Sequence, residues 1–261
     1  GGMLIGFALA LLAEADPARL EPGGVDSLPL LARVMDLTNK ARVDARLEEG
    51  AEVAAERLFE PALLARYQEE VAGHAAFSRG TTPISVVDGA GNLAAMSLSN
   101  GEGCGALLPG SGIMLNNMLG EEDLNHGGFH RWPENSRLSS MMSPSLATSA
   151  EGALYAIGSG GSNRIRTAVL QVLVNLLDHG MDMAAATEAP RLHVEGEVAN
   201  LEGGLPTAAE DELAQRGYRT IAWPRHNLFF GGVHGVALSA GGELSAAGDP
   251  RRGGAALIKS T

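Results

Sequence analysis

The feature that most limits how this chain can fold is a change of character at residue 80. Of the 35 glycines, 8 fall in residues 1–80 and 27 in residues 81–261, so tight turns and close backbone approaches belong to the second part. The first part reads as helical. Gly2 to Glu14 is one segment, and Ser27 to Arg46 is another. There Ser27 can act as N-cap, and Leu28, Leu31, Val34 and Met35 recur at helical spacing. Glu49 to Ala76 continues the pattern, interrupted at Pro61, a residue suited to the first turn of a new helix. Met3 to Ala13 is apolar, but eleven residues cannot cross a bilayer, and no basic segment precedes them. The expectation is a buried helix, and a chain that opens directly into one reads as the back part of something longer.

Beyond residue 80 the periodicity shortens. Ile84–Asp88, a turn at Gly89-Ala90-Gly91-Asn92, and Leu93–Leu98 predict a hairpin. Gly103 to Gly112 is a loop, and Asn117 to Arg137 is a polar excursion too rich in Gly, Asn and Pro for regular structure. Strands are expected at Ser145–Thr148 and Ala153–Ile157, then an amphipathic helix at Arg166–His179 closed by Gly180. Helices at Met183–Ala189 and Ala208–Arg216 and strands at Arg219–Trp223, Gly232–Leu238 and Glu243–Ala247 complete the order. Residue 80 is the one boundary expected, dividing the chain into 1–80 and 81–261.

Composition removes several functions. With 19 Lys+Arg against 31 Asp+Glu the net charge is −12, and no basic stripe offers a grip on nucleic acid or an anionic membrane. Aromatics at 4% leave little for base stacking, and one cysteine excludes an internal disulfide framework. His126 and His130 are four apart, but Gly127-Gly128 between them argues against a helical metal pair, so no metal is expected. Cys104 has no adjacent base and reads as structural.

The chemistry concentrates at the junction. A hydroxyl residue directly after a glycine at the mouth of a strand, as in Gly80-Thr81-Thr82, suits a self-cleaving N-terminal nucleophile. The hydroxyl attacks the preceding carbonyl, and the amine released by cleavage then stands beside it as a base. Taken alone, Gly-Thr-Thr also describes a loop entering a strand. Gly158-Ser159-Gly160-Gly161 before a helix could cradle an anion, yet it lacks a phosphate loop's Lys and a dinucleotide fingerprint's spacing.

Several motifs occur in order: TTPISVVDGAGNLAAMSLSNGEG, PGSGIMLNNML, RLSSMMSPS, GSGGSNRI, TEAPRLH and AGDPR. Together they resemble the light chain of γ-glutamyltransferases, the glutathione hydrolase family of N-terminal nucleophile hydrolases, over essentially all of 81–261. Residues 1–80 are similar to the end of that family's heavy chain. The resemblance implies an α/β (α+β) fold, an αββα four-layer sandwich with a helical N-terminal part. It implies Thr81 as nucleophile, with its own amine as general base after cleavage. Ser97, Ser99 and Asn100 lie where the family steadies the nucleophile and the substrate amine, within a two-residue uncertainty of alignment. Asn117 fits its motif, and Glu121 or Asp123 would be the acidic partner of that amine. Ser139 and Ser140 would hold the substrate α-carboxylate. Gly160-Gly161 or Gly161-Ser162 would supply the oxyanion hole through backbone N–H groups.

Two residues depart from the family. Pro83 replaces the usual His, and Met118 stands where a Gln or Glu helps bind the ammonium group. An apolar thioether cannot do that, which keeps open an acylase of the same superfamily acting on another amide, such as a dicarboxylic acyl amide. A catalytically dead homologue, which Pro83 permits, and an excised, incompetent domain also stay open. The implied partners are a γ-glutamyl substrate with water or an amino-acid or peptide acceptor, and no cofactor. A periplasmic or secreted setting is also implied, and a sheet edge left open by missing heavy-chain strands is expected to be covered by self-association as a homo-oligomer. Without the heavy-chain Arg that pairs with the α-carboxylate, residues 1–261 alone are expected to have little γ-glutamyl activity. The Arg131-Trp132-Pro133 loop is expected at the rim of the site, and Asp249-Pro250-Arg251 is expected to fix a turn by a carboxylate–guanidinium pair.

Overall fold

The structure is a computed structural model, and it describes residues 1–13, 21, 23–24, 27–45, 51–61, 63–64, 81–101, 103–121, 124–125 and 127–259. Gly80, Asp123, His126, the helix ends at Glu14 and Arg46, and most of the expected 49–76 helix lie outside the described residues.

The helices α1 (Gly2–Ala13), α2 (Ser27–Asp44) and α3 (Ala51–Leu58) come first. Strands β1 (Thr81–Val87) and β2 (Leu93–Ser99) then form an antiparallel hairpin, with Thr81 opposite Ser99 and Val87 opposite Leu93. Asp88 closes the turn by accepting from the Ala90 and Asn92 N–H groups, both at 2.9 Å. Next come β3 (Ser145–Thr148), β4 (Leu154–Gly160), α4 (Arg164–Leu177) and α5 (Met183–Glu188). They are followed by β5 (Leu192–Glu195), β6 (Val198–Leu201), α6 (Thr207–Gln215), β7 (Arg219–Ala222), β8 (Gly232–Leu238) and β9 (Leu244–Gly248).

These strands make three sheets. β3-β4-β8-β9 is fully antiparallel, and the β1-β2 hairpin lies across its β4 and β8 strands. On the other face of that sheet sit α4 and α5. The third sheet, β5-β6-β7, is antiparallel between β5 and β6 and parallel between β6 and β7, with α2 against β5 and α6 against β7.

Two apolar cores result. One joins Leu4, Phe7, Leu31, Val34 and Leu37 of the first helices to Leu170 and Val174 of α4 and Leu192 and Val194 of β5, so the helical part and the later part share it. The other sits between β4, β8 and α4, with Ile157, Ile165, Val169, Val172 and Val233. Burying such apolar area is the main favourable term in folding.

The hairpin alternates with period two. Thr81, Pro83, Ser85 and Val87 turn inward, while Ile84, Val86, Met96 and Leu98 are 44%, 52%, 50% and 49% exposed on the outer face. Two glycines on β4 set the distance between the stacked sheets. A Cβ on Gly158 would meet Pro83 Cβ at 2.8 Å, and one on Gly160 would fall onto the Thr81 carbonyl. Among the described residues no helix is long and apolar enough to cross a membrane.

The structure differs from the sequence expectations in three places. β4 runs three residues past the expected end at Ile157, so Gly158, Ser159 and Gly160 of the glycine run are strand. α4 begins and ends two residues early, and twelve of its fourteen residues are buried, including Arg164, Arg166 and Gln171 on its polar side. Its polar side chains are absorbed by specific partners. Gln171 donates to the Leu192 carbonyl at 2.8 Å and accepts from the Leu192 N–H at 2.9 Å, standing in for a neighbouring strand. The β5–β6 hairpin around Gly196 was not anticipated, because its buried Glu195 and Asn200 break the apolar alternation.

Candidate active site

Thr81 is the first residue of β1, and the strand pairing puts it opposite Ser99, the last residue of β2. Its hydroxyl donates to Ser99 Oγ at 3.2 Å, and Ser99 Oγ also accepts from the Gly101 N–H at 3.1 Å. Because side chains alternate along a strand, a hydroxyl at position 99 reaches Thr81 and one at position 100 would not. Asn100 is exposed; its carbonyl accepts from the N–H groups of Gly103 at 3.1 Å and Asn117 at 2.8 Å. Ser97 also faces inward, but it sits behind Gly158 and its buried Oγ has no partner among the described residues.

A narrow cleft opens at Thr81, lined by Ser99, Met118, Glu121, Ser140, Ser162 and Ile165, with Met141 and Met142 completing it. The short 3₁₀ turn Met118–Gly120 brings Met118 and Glu121 there. Asn117, the residue before that turn, is a brace rather than a lining group. Its N–H bonds the Asn100 carbonyl and its own carbonyl accepts from Gly120 N–H at 2.9 Å. Gly101, at φ +66°, lets the chain pass the Glu121 carboxylate, since a Cβ there would stand 2.6 Å from Glu121 Oε1. Ser140 lines the cleft; the Ser139 Oγ is buried beside it without a partner among the described residues.

The far wall is the turn between β4 and α4. Gly160 abuts the Thr81 carbonyl, Gly161 has φ +132°, and Ser162 has φ +49°, a left-handed conformation uncommon for a residue with a side chain. Such strain persists only when the surroundings over-determine it. Here Asn163, next in sequence, donates to Glu195 Oε1 at 2.6 Å, and Glu195 Oε2 meets His193 Nε2 at 3.1 Å. The other ring nitrogen of His193 lies 2.8 Å from the Thr167 hydroxyl on α4. Burial pushes the His193 pKa below its ordinary value, more than the adjacent Glu195 raises it, so the ring is neutral at pH 7. This Asn163–Glu195–His193–Thr167 cluster was missed from sequence; its one signal was the His-Val-Glu spacing of β5.

Asp249 does cap its turn, accepting from the Arg251 N–H at 2.9 Å and contacting the Arg251 guanidinium at 3.3 Å. The shorter ion pairs, however, are Arg191–Asp249 at 2.7 Å and Arg251–Glu202 at 2.6 Å, all four groups buried. Arg131, Trp132 and Pro133 line a separate hollow with Leu124 and Gly128, away from Thr81, and the Trp132 indole donates to the Leu124 carbonyl at 3.2 Å. Cys104 is exposed. Among the described residues no group of three His, Cys, Asp or Glu side chains could hold a metal ion.

Stacked antiparallel sheets backed by helices, with a strand that begins at a hydroxyl residue packed against a glycine turn, are the architecture of N-terminal nucleophile hydrolases. Cephalosporin acylase from Bacillus halodurans shares this fold with a TM-score of 0.71 and 20% identity, over 100% of this chain and 50% of its own. The γ-glutamyltranspeptidase family model matches residues 1–258, and the chain belongs to that family of enzymes. Among curated relatives, the acylase ACY 1 proenzyme of Pseudomonas sp. (strain SE83) is 29% identical over 259 residues, 94% of this chain and 46% of its own length. The glutathione hydrolase proenzyme of Escherichia coli (strain K12) is 31% identical over 188 residues, 67% of this chain and 32% of its own. The chain thus spans about half or less of the length of the relatives it matches.

Proposed function

We propose that the natural polypeptide cleaves itself between Gly80 and Thr81 and then acts as a γ-glutamyl amide hydrolase or transferase with Thr81 as nucleophile. In self-cleavage the Thr81 hydroxyl attacks the Gly80 carbonyl, the peptide nitrogen leaves as the new amine, and water hydrolyses the resulting ester. In turnover the free amine takes the hydroxyl proton as Thr81 Oγ attacks the γ-carbonyl. The proton passes to the departing amine, and water or an acceptor amine resolves the acyl-enzyme. Backbone N–H groups of the Gly160–Ser162 turn would stabilise the oxyanion. Glu121 would pair with the substrate ammonium, and Ser139 and Ser140 would bind its α-carboxylate.

The observation that carries this reading is the convergence at one cleft of the Thr81 hydroxyl, Ser99, Glu121, Ser140 and the glycine turn. Terminal sequencing of the smaller fragment tests the cleavage, and a start at any residue but Thr81 would remove the nucleophile assignment.

A second reading, an acylase acting on another amide such as a dicarboxylic acyl amide, is favoured by Met118 in the cleft wall and by the acylase relatives. Rates on γ-glutamyl and glutaryl anilides separate the two. A clear preference for glutaryl would select the acylase.

A further inference from the structure

Two hollows meet at Thr81. One is the cleft described above. The other is a groove of about 480 Å³ along the edge of β1 that faces away from β2. It is lined by Thr81–Ser85, by His234 on β8, and by Arg252 with the Gly253–Leu257 segment that follows it. A scissile amide has two sides, so a substrate with its acyl part in the cleft has this groove available to the part beyond the broken bond.

The groove carries an unbalanced cation. Where the α5–β5 turn, β8 and the 3₁₀ turn Pro250–Arg252 pack together, three guanidinium groups meet two carboxylates. Arg191 and Arg251 take Asp249 and Glu202 between them. Arg252 has no ion pair among the described residues; its Nη2 donates to the Leu228 carbonyl at 3.2 Å, and its buried Nε has no partner. The stem lies across Gly232, where a Cβ would meet Arg252 Cδ at 2.5 Å, so only glycine leaves room for this path. The guanidinium therefore ends beside the glycine turn, Nη2 being 3.3 Å from where a Gly161 Cβ would stand. A partly desolvated guanidinium with no carboxylate partner among the described residues is well satisfied by a carboxylate. His234 brings no competing charge. Burial holds its pKa down, and its Nδ1 accepts from the Asp249 N–H at 3.1 Å.

We propose that Arg252 makes this groove a carboxylate subsite for the leaving-group or acceptor side of the reaction. The proposal rests on Thr81 being the nucleophile. It identifies the preferred leaving amines and acceptors as ones that carry a carboxylate a few bonds from the reacting nitrogen.

The test uses the natural polypeptide and its Arg252→Gln and Arg252→Lys variants. On γ-glutamyl-3-carboxy-4-nitroanilide and γ-glutamyl-4-nitroanilide, Arg252→Gln should lower the carboxylated-to-plain ratio of kcat/KM about tenfold, the usual scale for a charged hydrogen bond. Arg252→Lys should keep most of that ratio. An unchanged ratio in Arg252→Gln would overturn the proposal. So would a loss appearing instead between glutaryl and butyryl 4-nitroanilides, which would put the carboxylate on the acyl side. A saturation-transfer NMR titration needs neither turnover nor a variant. The unaltered protein should bind 3-aminobenzoate more tightly than 3-aminobenzamide, and equal affinities would count against the subsite. If no γ-glutamyl anilide turns over while that binding preference stands, the γ-glutamyl reading fails and the subsite survives.

Discussion

Gly160→Ala probes the geometry of the site most sharply. In the structure the added methyl falls on the Thr81 carbonyl oxygen, and it also lies 3.0 Å from the Thr81 carbonyl carbon and 3.5 Å from Thr81 Cβ. These are backbone and near-backbone atoms, so no side chain can swing aside. Either the head of β1 or the end of β4 must retreat by about 1 Å to restore contact distance. Overpacking of this kind costs about 1–3 kcal/mol of stability. A displacement of about 1 Å at a nucleophile can cost roughly 100-fold in rate, so the activity loss should exceed what the stability loss alone predicts. The assay is a time course of chain conversion on a denaturing gel, with kcat for a γ-glutamyl anilide and Tm measured on the same sample. Gly89→Ala is the matched control, since a Cβ there meets nothing within 4 Å and no positive φ opposes it. If Gly160→Ala processes and turns over like the unaltered protein, the packing of the glycine turn onto Thr81 does not govern the chemistry.

Thr81→Ala should abolish both processing and activity, whereas Thr82→Ala, at an outward-facing position, should be mild; both are read by gel and anilide assay. Ser99→Ala removes the hydrogen bond to the Thr81 hydroxyl, worth about 0.5–1.5 kcal/mol, and, with Thr81 proposed as nucleophile, should lower kcat roughly 3- to 10-fold. Replacing Ser139 and Ser140 together by Ala should raise KM for a γ-glutamyl donor far more than it slows self-cleavage. Stability should fall as pH drops below about 6.5, because buried His193 stays neutral in the fold but binds a proton when unfolded. Tm measured from pH 7.5 to 5.5 should show that slope, and His193→Gln should reduce it, the remainder coming from His234 and His179, whose pKa values burial also lowers.

Much of this was legible because it depends on local chemistry. The first hairpin and its turn at 89–92 follow from alternation and turn residues, but which face turns inward does not, since the apolar Ile84, Val86, Met96 and Leu98 are the exposed side and the hydroxyl residues the inner one. The alignment around Ser99 and Asn100 could not be fixed from sequence, since a slip of one residue reverses which side chains face the core. In the structure the strand pairing sets Ser99, not Asn100, opposite Thr81. Glu195, His193 and Asn163 were invisible for another reason. Buried polar groups are stabilised by partners distant in sequence, as with Asn163 and Glu195, 32 positions apart, and no hydrophobic pattern announces them. Arg252 escaped notice because its meaning lies in which carboxylates its neighbours have already taken.

The central claim is that the hydroxyl of Thr81, released as a new N-terminus, is the attacking group. Treating the processed natural polypeptide with an electrophilic glutamine analogue and mapping the adduct by peptide mass spectrometry tests this most directly. A single covalent adduct is expected, on an N-terminal peptide that begins at Thr81. An adduct on another residue, or a labelled peptide in which Gly80 still precedes Thr81, would contradict it.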